Sequence, residues 1–281
     1  MKDIAYYDGQ IGPIDAVKAP ITDRGLYFGD GVYEAAMVRD QRIFALDDHL
    51  DRFFSSLSLL RIEPPMARDA LAAVLCDLVA RLDTTAPHIL YWQSTRGAAH
   101  RQHAFPAHAK TTLMAFAEPC PLDRRDRPYK LLTVADTRFL HCNIKTLNLI
   151  PNCMAMQQAV EAGCDEVVFH RDGRVTEGAH SSLALLRDGV FCTPPADELV
   201  LPSITRKHLL ALCEQLGVPT RVAPFTVDEL RTADEILLLA TGTHCIAACS
   251  LDGQPIGGKD PALLDRLQTA YQAMFDQLTT R

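Results

Sequence analysis

The sequence predicts an α+β protein built from two domains. The chain has 281 residues, of which 48% are hydrophobic and 22% charged, so it is long enough for two domains that each have a core. Short runs of strand-like apolar residues are interspersed with stretches in which apolar residues recur every three or four positions, the spacing of amphipathic helices. A polar segment that contains prolines separates two of the strand runs. We therefore predict an N-terminal small domain over 1–118, a linker over 119–127 and a larger C-terminal domain over 128–281.

The N-terminal domain is predicted to open with a hairpin of strands 4–7 and 10–14, because Asp8-Gly9 between them is a strong two-residue turn signal. Either Asp47 or Asp48 is expected to cap the first long helix, whose apolar residues recur at three- and four-residue steps. The remaining predicted elements are strands over 32–38, 42–45, 89–94 and 111–117, and a second amphipathic helix over 67–82.

The C-terminal domain is predicted to begin with a strand over 129–135 that continues through Phe139. A helix over 149–162 follows, rich in Leu, Met and Ala. Farther along, Ser203 and Gly217 mark the start and the end of another amphipathic helix. The other predicted elements are a strand over 166–170, a hairpin through 188–189, a strand over 221–224, a short helix from Thr226, a strand over 235–240, a loop over 241–243 and a final helix from Asp260.

Charge and cysteine content narrow the class of protein. The net charge is −7 and the isoelectric point is near 5.8, without a run of basic residues, which argues against a nucleic-acid or anionic-membrane partner. The nine cysteines include no C-x-x-C pair, so we interpret them as small buried hydrophobic residues and predict no metal site. The start of the chain lacks the apolar core of a signal peptide and no long apolar run follows, so we expect a cytoplasmic protein.

Lys145 is the first candidate for chemistry. It lies between the apolar residues Ile144 and Leu147, just before the predicted helix over 149–162. Partial burial of a lysine favours the neutral amine, which acts as a nucleophile and as a base in the way that a Schiff-base lysine must. A lysine considered alone is more often one that extends its amine into solvent at the end of an element. Its surroundings in the sequence decide between these interpretations.

Four blocks of sequence provide that context, and they lie at 23–34, 49–52, 145–148 and 165–178. They read Asp-Arg-Gly-Leu-Tyr-Phe-Gly-Asp-Gly-Val-Tyr-Glu, His-Leu-Asp-Arg, Lys-Thr-Leu-Asn, and an Asp-Glu pair followed by Val-Thr-Glu-Gly. In order and spacing the chain resembles the fold type IV pyridoxal-phosphate enzymes. This class contains D-amino-acid and branched-chain aminotransferases and aminodeoxychorismate lyase. The resemblance implies a two-domain fold type IV architecture with pyridoxal 5'-phosphate as the cofactor.

The resemblance also implies roles for particular residues. Lys145 would hold the cofactor as an imine, and Glu177 would keep its pyridine nitrogen protonated so that the ring accepts electrons. The phosphate group of the cofactor would bind at the N-terminus of the helix near Thr205, where free amides and the helix dipole favour an anion. The remaining cofactor-binding residues implied are Arg52, Leu201, Ile204 and Thr241.

Within the class, Arg101-Gln102-His103 resembles the Arg-x-His pair of the D-amino-acid aminotransferases. With Tyr33, this pair would bind the substrate carboxylate and so select the hand of the amino acid. The resemblance therefore implies a homodimeric transaminase that moves an amino group from a D-amino acid such as D-alanine to a 2-oxo acid such as 2-oxoglutarate. A branched-chain or (R)-amine aminotransferase and aminodeoxychorismate lyase are the alternatives of the same fold. A non-catalytic homologue is an alternative of another class.

Three positions depart from the pattern of the family. Where the family usually has Glu-Gly-Ser and then Ser-Asn, this chain has Glu177-Gly178-Ala179-His180-Ser181-Ser182, so that Ser182 replaces the usual Asn and His180 adds an imidazole. Ala240 stands where the D-amino-acid enzymes have a serine near the phosphate. These changes are expected to weaken cofactor contacts by one or two hydrogen bonds, each of about 1 kcal/mol.

Overall fold

The computed structural model describes residues 2–82 and 86–280, and the chain divides into two compact units. The first unit contains Met1–Leu122, Ile144–Asn148 and Phe275–Arg281, and the second contains Asp123–Asn143 and Leu149–Met274. This division differs from the predicted one, in which a continuous C-terminal domain carries Lys145. The segment 144–148 belongs to the first unit because its backbone pairs with a strand of that unit.

The first unit is organised around an antiparallel sheet in the order β2-β1-β6-β5-β3-β4. The predicted opening hairpin is confirmed: Tyr7 pairs with Gln10, and the turn residues Asp8 and Gly9 have φ values of 42° and 96°. Positive φ at both positions matches the right-handed twist of the two strands. The strands are β1 (Ile4–Tyr7), β2 (Gln10–Gly12), β3 (Gly31–Arg39), β4 (Arg42–Ile43), β5 (His88–Thr95) and β6 (Thr112–Pro119).

Helices cover one face of this sheet through an apolar core. They are α2 (Leu46–Leu59) and α3 (Arg68–Ala80). The unit also contains α1 (Arg24–Phe28) and a short 3-10 helix at Ile14–Ala16. The predicted stripe of α2 is confirmed, since Leu50, Phe53 and Leu57 are each 0% exposed. The predicted cap is wrong. Ala45 precedes the helix with φ 51°, and Asp47 and Asp48 lie in the first turn, where carboxylates interact favourably with the helix dipole.

The second unit is organised around a mixed sheet in the order β12-β11-β10-β13-β14-β7-β8-β9, with β15 paired to β14. The prediction that the first strand continues through Phe139 is wrong. The strand ends at Ala135, because the Asp136 side chain accepts a hydrogen bond from the amide of Arg138 at 3.0 Å and turns the backbone. The strands are β7 (Tyr129–Ala135), β8 (Glu166–Arg171), β9 (Arg174–Val175), β10 (Ser182–Arg187), β11 (Val190–Thr193), β12 (Thr220–Val222), β13 (Glu235–Ala240), β14 (His244–Leu251) and β15 (Gln254–Pro255).

The helices that begin in the second unit are α4 (Ile150–Glu161), α5 (Ile204–Leu216), α6 (Val227–Arg231) and α7 (Pro261–Thr279), the last of which ends in the first unit. The predicted limits of α5 are confirmed. Ser203 caps it by accepting a hydrogen bond from the amide of Arg206, and Gly217 ends it with φ 66°. Thr226 and Glu229 form a reciprocal capping box at the start of α6.

The predicted α+β class is confirmed, since helices and strands both build each unit. Over the residues described, none of the helices combines the length and the apolar character that a membrane crossing requires. The cytoplasmic location stays a prediction.

Candidate active site

The segment that carries Lys145 lies along β3, beyond the stretch of β3 that β4 covers. The amide of Tyr33 donates to the Lys145 carbonyl oxygen at 2.9 Å, and the amide of Leu147 donates to the Gly31 carbonyl oxygen at 3.1 Å. The Lys145 amide in turn donates to the Ser56 hydroxyl of α2 at 3.3 Å. A segment with its backbone bound on both sides holds its side chains in a defined place, so these contacts within the first unit position Lys145.

Two glycines of the 23–34 block make room for this segment. A Cβ atom at Gly31 would lie 2.5 Å from the Ser94 carbonyl oxygen and 2.8 Å from Cδ1 of Leu147. Gly29 has φ 59°, and its carbonyl oxygen accepts a hydrogen bond from the Asn148 side chain at 3.0 Å. Glycine permits a sharp bend or the close approach of other atoms. The structure shows that what approaches Gly29 and Gly31 is the lysine segment itself.

The Lys145 amine lies against an aromatic ring. Its Nζ is 4.3 Å from the centre of the Tyr33 ring, and that ring stacks on Tyr91 with 5.5 Å between ring centres. Lys145 is half-buried. The structure thus brings together the predicted cofactor lysine and one of the predicted substrate-binding residues, in an arrangement in which the ring face attracts the ammonium form.

Arg52 is held by a carboxylate in the core of the first unit. Alternation along β3 places Glu34 on the same side as Val32 and Ala36, facing the core, where its side chain is 0% exposed. Arg52 Nε donates to Glu34 Oε1 at 2.6 Å and Arg52 Nη2 donates to Oε2 at 2.8 Å, while His49 Nδ1 lies 2.8 Å from Oε2. The family resemblance alone predicted a role for Arg52. The structure adds that two hydrogen bonds to Glu34 fix its guanidinium.

The pKa values in this cluster follow from burial and charge. Burial raises the pKa of Glu34, but the charge and hydrogen bonds of Arg52 and the contact with His49 outweigh it and lower the pKa to about 2. Burial lowers the pKa of His49, and the positive charges of Arg52 and Lys145 add to that effect against the pull of Glu34. The result is an ionised glutamate that fixes the Arg52 guanidinium.

Arg101 and His103 lie in an exposed loop of the first unit after β5. Both contact Phe28: the Arg101 guanidinium carbon is 5.3 Å from the centre of its ring, and the His103 ring centre is 5.4 Å from it. Their ring contacts are thus with Phe28 rather than with Tyr33, the third residue predicted to bind the substrate carboxylate. In the first unit, Tyr33 therefore contacts Lys145, whereas Arg101 and His103 contact Phe28.

Glu177 is a buried carboxylate in the second unit, only 6% exposed. It forms an ion pair with Arg138 Nη1 through Oε1, and its Oε2 accepts a hydrogen bond from the amide of Leu201 at 3.1 Å. Two of the predicted cofactor-binding residues, Glu177 and Leu201, are therefore in direct contact. Glu177 is not the surface turn carboxylate that a lone glutamate most often is.

The sequence reasoning missed Arg138. This residue is buried, and it also binds the Asp136 carboxylate through Nε and Nη2, both at 2.9 Å. Burial by itself would lower the pKa of Arg138. The hydrogen bonds to Asp136 and the charge of Glu177 outweigh that effect, so the pKa is raised and the group stays charged. The same arginine and Arg171 hold the pKa of Asp136 below its ordinary value despite its burial. The signal in the sequence was an Asp-x-Arg pair directly after a strand.

The turn after Glu177 is held by a second buried carboxylate. Glu166 accepts hydrogen bonds from the amides of Val167 and Ala179 at 2.8 and 3.0 Å and from the Ser181 hydroxyl at 3.0 Å. His180, one of the departures from the family pattern, contacts Glu166 through Nδ1 at 2.8 Å while its side chain stays 54% exposed. The added imidazole therefore faces the glutamate that shapes this turn.

The N-terminus of α5 presents the predicted anion-binding groups. The first helical backbone bond runs from the amide of Lys207 to the Ser203 carbonyl oxygen at 3.0 Å, so the amides of Ile204 and Thr205 precede it. The buried Thr205 hydroxyl accepts a hydrogen bond from the Tyr271 hydroxyl at 3.4 Å. The cap of the helix is Ser203, which leaves Thr205 inside the first turn.

Thr241 begins the turn between β13 and β14, in the second unit. Two departures from the family pattern lie on the neighbouring strands: Ala240 ends β13 opposite His244, and Ser182 begins β10 opposite Leu239. Strand β14, which the sequence reasoning did not identify, thus fixes one side of the turn that carries Thr241.

Comparisons with known proteins identify the family and the fold of the chain. The model of the family described as amino-transferase class IV matches residues 31–251. The chain is 35% identical over 269 residues to a D-alanine aminotransferase of Bacillus licheniformis, covering 95% of each chain. It is 33% identical over 275 residues to one of Staphylococcus haemolyticus, covering 96% of this chain and 97% of that protein. The solved T.th. branched-chain amino acid aminotransferase with pyridoxamine 5'-phosphate has the same fold, with a TM-score of 0.89, 24% identity and coverage of 98% and 94%.

The architecture is that of the fold type IV enzymes that depend on pyridoxal phosphate, as the resemblance implied. The chain belongs to the class IV aminotransferases. The side chains present suit the cofactor of this class: an amine against an aromatic ring and a carboxylate-bound arginine in the first unit, and a buried carboxylate and open helix amides in the second.

Proposed function

We propose that this chain is a D-amino-acid transaminase that moves an amino group from a D-amino acid such as D-alanine to a 2-oxo acid such as 2-oxoglutarate. The observation that carries the proposal is the position of the Lys145 segment, which Gly29 and Gly31 accommodate and which leaves the lysine amine against Tyr33. The D configuration of the substrate is supported by relatives of 33–35% identity that are named D-alanine aminotransferases, and by the Arg101-x-His103 pair.

When bound, pyridoxal phosphate supplies an electron sink for the bonding pair that is left when the substrate loses its α proton. Lys145 would hold the cofactor covalently, and its Nζ would take the α proton of the substrate and return it. The Lys145 carbonyl and amide stay bound to Tyr33 and Ser56, so the side chain can move while the backbone does not.

Glu177 is proposed to hold a proton on the pyridine nitrogen of the cofactor. Such a role requires a carboxylate that stays ionised although it is buried, and an adjacent positive charge favours that form. Arg138 provides this charge through its ion pair with Glu177 Oε1. Leu201, whose amide binds the other oxygen of Glu177, is proposed to pack its side chain against the ring.

Arg52, Ile204, Thr205 and Thr241 are proposed to bind the cofactor phosphate. Glu34 holds Arg52 in place through two hydrogen bonds, and the first-turn amides of α5 point from the positive end of a helix of 13 residues. Each of these groups is of a type that binds phosphate in proteins.

Tyr33, Arg101 and His103 are proposed to bind the substrate carboxylate. A guanidinium forms two charge-assisted hydrogen bonds with a carboxylate, and a phenol and an imidazole each add one. The side of the cofactor on which this carboxylate is bound decides whether a D- or an L-amino acid presents its α hydrogen to Lys145. In this proposal the Arg-x-His pair therefore determines the hand of the substrate.

The proposal includes a homodimer in which Arg101 and His103 reach the active site of the partner chain. Supporting it, the first unit exposes large apolar side chains on the segments near this loop, with Ile21 84%, Leu26 69% and Phe105 48% exposed. Several large apolar side chains exposed on neighbouring segments are typical of an interaction surface. Sedimentation of the holoenzyme should give a dimer, and a fully active monomer would contradict this part of the proposal.

The experiment that tests the function is a panel of D- and L-amino acids added to the holoenzyme, with the cofactor absorbance near 400 nm followed over time. D-Alanine is expected to react fast and L-leucine slowly. Lys145→Ala serves as the control, because it should abolish turnover and leave a folded protein. If L-leucine reacts faster than every D-amino acid, the branched-chain alternative replaces the proposal. Faster reaction of an (R)-amine, or release of pyruvate from aminodeoxychorismate, would favour the other two alternatives.

A further inference from the structure

Helix α1 and the loop that carries Arg101 and His103 are bound together along their length. The amide of Arg24 donates to the Gly97 carbonyl oxygen at 3.0 Å, and the amide of Ala99 donates to the Thr22 carbonyl oxygen at 3.0 Å. Farther along, the Tyr27 hydroxyl donates to the Ala99 carbonyl oxygen at 2.9 Å. The start of the loop is thus tied to α1 and to the residues just before it.

The Arg24 side chain extends the same connection to the residues of the Arg-x-His pair. It is 2% exposed, and its Nη1 donates to the Gln102 carbonyl oxygen at 2.7 Å while its Nη2 lies 3.5 Å from that of His103. Its Nε donates to Asp30 Oδ2 at 2.6 Å. One planar guanidinium therefore joins a carboxylate on one side to two successive carbonyl groups of the loop on the other.

Asp30 is itself fixed. Arg96 donates to both of its oxygens, through Nε to Oδ2 at 3.0 Å and through Nη2 to Oδ1 at 3.1 Å. The same arginine donates to the carbonyl oxygens of Leu60 and Arg61, just after α2, at 2.9 and 2.8 Å. Arg24 is consequently anchored to a carboxylate that the end of a long helix holds in place.

Phe28, the last residue of α1, supports the two side chains of the pair. Its ring lies 5.3 Å from the Arg101 guanidinium carbon and 5.4 Å from the centre of the His103 ring, and Arg24 lies 4.7 Å from it. Arg101 and His103 are otherwise exposed. A ring face attracts cationic groups and restricts the rotamers of the side chains that lie on it.

We propose that Arg24 and Phe28 are positioning residues that hold Arg101 and His103 in the arrangement that binds the substrate carboxylate. The inference rests on the proposed function, of which it names the support for substrate recognition. A long exposed side chain loses conformational freedom when it binds a ligand, and a side chain already ordered loses less. Removing the support should therefore weaken substrate binding and leave the chemistry at Lys145 nearly unchanged.

Phe28→Leu in the holoenzyme is the first test, with Phe28→Tyr as the conservative variant and Phe54→Leu, a half-buried phenylalanine of α2, as the matched control. Phe28→Leu is expected to raise KM for D-alanine about 3- to 30-fold with kcat changed less than about 3-fold, the size of a lost cation–π contact. Phe28→Tyr should restore the wild-type KM, and Phe54→Leu should leave it unchanged.

Arg24→Lys is the second test, because it keeps the charge and loses the fork that reaches the loop carbonyls. It is measured alone and combined with Arg101→Ala. If Arg24 acts through Arg101, the two effects on KM will be less than multiplicative in the double variant. The spectral change caused by methylamine, an amine without a carboxylate, should keep its wild-type rate, and hydrogen exchange should become faster in the peptide that covers 99–105.

The outcomes separate this inference from the proposed function. A wild-type KM in Phe28→Leu alongside a raised KM in Arg101→Ala overturns the inference, as does an equal loss of reaction with methylamine and D-alanine. Multiplicative effects in the double variant also overturn it. If the wild-type enzyme prefers an L-amino acid, the D-specific function fails, and the same comparison made on that amino acid still decides the role of Arg24 and Phe28.

Discussion

The two units bury charge in opposite arrangements. In the first unit a carboxylate, Glu34, is 0% exposed and is contacted by Arg52 and His49. In the second unit a guanidinium, Arg138, is buried between the carboxylates of Asp136 and Glu177. Each unit therefore places a structural ion in the interior and uses it to hold a second ion of the opposite sign.

The two arrangements differ in the sign of the ion that the buried partner holds: an arginine in the first unit and a carboxylate in the second. A buried carboxylate that fixes an arginine suits the binding of an anion, and a buried arginine that fixes a carboxylate suits a protonated nitrogen. The proposed roles of Arg52 toward the cofactor phosphate and of Glu177 toward the pyridine nitrogen require these two signs of charge. Burial costs desolvation energy in both units, and the ion pairs with Glu34 and Arg138 offset part of that cost for Arg52 and Glu177.

The largest effect is expected from Glu34→Gln. The substitution keeps the shape of the side chain and leaves Arg52 without its buried counter-ion, so the free energy of unfolding should fall by about 3 kcal/mol. Urea denaturation at neutral pH measures this change. Glu118→Gln, on the exposed end of β6, is the matched control and should change the stability by less than about 0.5 kcal/mol. Equal stability of both variants would contradict the central role of Glu34.

Acid should destabilise the first unit through the same residue. The pKa of Glu34 is 4.5 in an ordinary setting and about 2 in the folded chain, so the folded state binds fewer protons. Its contribution, about 3 kcal/mol, is present above pH 4.5 and is lost as the pH falls toward 2. Melting temperatures between pH 6 and 3.5 should converge for the wild type and Glu34→Gln as the pH falls. A constant difference would show that Glu34 does not ionise with this low pKa.

A smaller effect, mainly on activity, is expected from Arg138→Lys. The lysine keeps the positive charge but cannot reach Asp136 and Glu177 with one planar group, so Glu177 should lose its fixed place. We expect kcat to fall about 10-fold and the cofactor absorbance of the resting enzyme to change its pH dependence. Arg171→Lys, which alters a partly exposed contact of Asp136, is the control and should retain most of the rate.

The smallest effect is expected from His180→Ala. The imidazole is 54% exposed, and Glu166 keeps its bonds from two backbone amides and the Ser181 hydroxyl. The loss of stability should be less than about 1 kcal/mol, as for other exposed ion pairs. Thermal melts of both proteins at pH 6 measure it. A loss of several kcal/mol would mean that His180 is essential to the turn after Glu177.

The 23–34 block shows how one short sequence serves two purposes. Its glycines at 29 and 31 receive the Lys145 segment, and its side chains at Arg24, Phe28 and Asp30 hold the loop of the Arg-x-His pair. Both the Lys145 segment and the loop of the Arg-x-His pair thus contact the same short block of the first unit. A change at Gly29 or Gly31 is therefore expected to act on the lysine segment, and a change at Arg24 or Phe28 on the loop.

Local patterns in the sequence were sufficient for most elements of the fold. The Asp8-Gly9 turn, the stripe of α2 and the limits of α5 at Ser203 and Gly217 depend on neighbours in the chain, so propensity and periodicity predict them. Two of the failures have a common cause. The cap of α2 and the end of β7 depend on a positive φ at Ala45 and on a side-chain turn at Asp136, and neither follows from hydrophobic spacing.

The sequence by itself determined the class of the protein, because the blocks around Lys145, Glu177 and Arg52 lie at the spacing of one family. Only the tertiary structure decided that Lys145 belongs to the first unit, that Glu34 and Arg138 hold the two charged groups, and that Arg101 and His103 contact Phe28. The physical reason is separation along the chain. A buried ion requires a partner, but the partner is chosen by the packing of strands and helices that are distant in sequence.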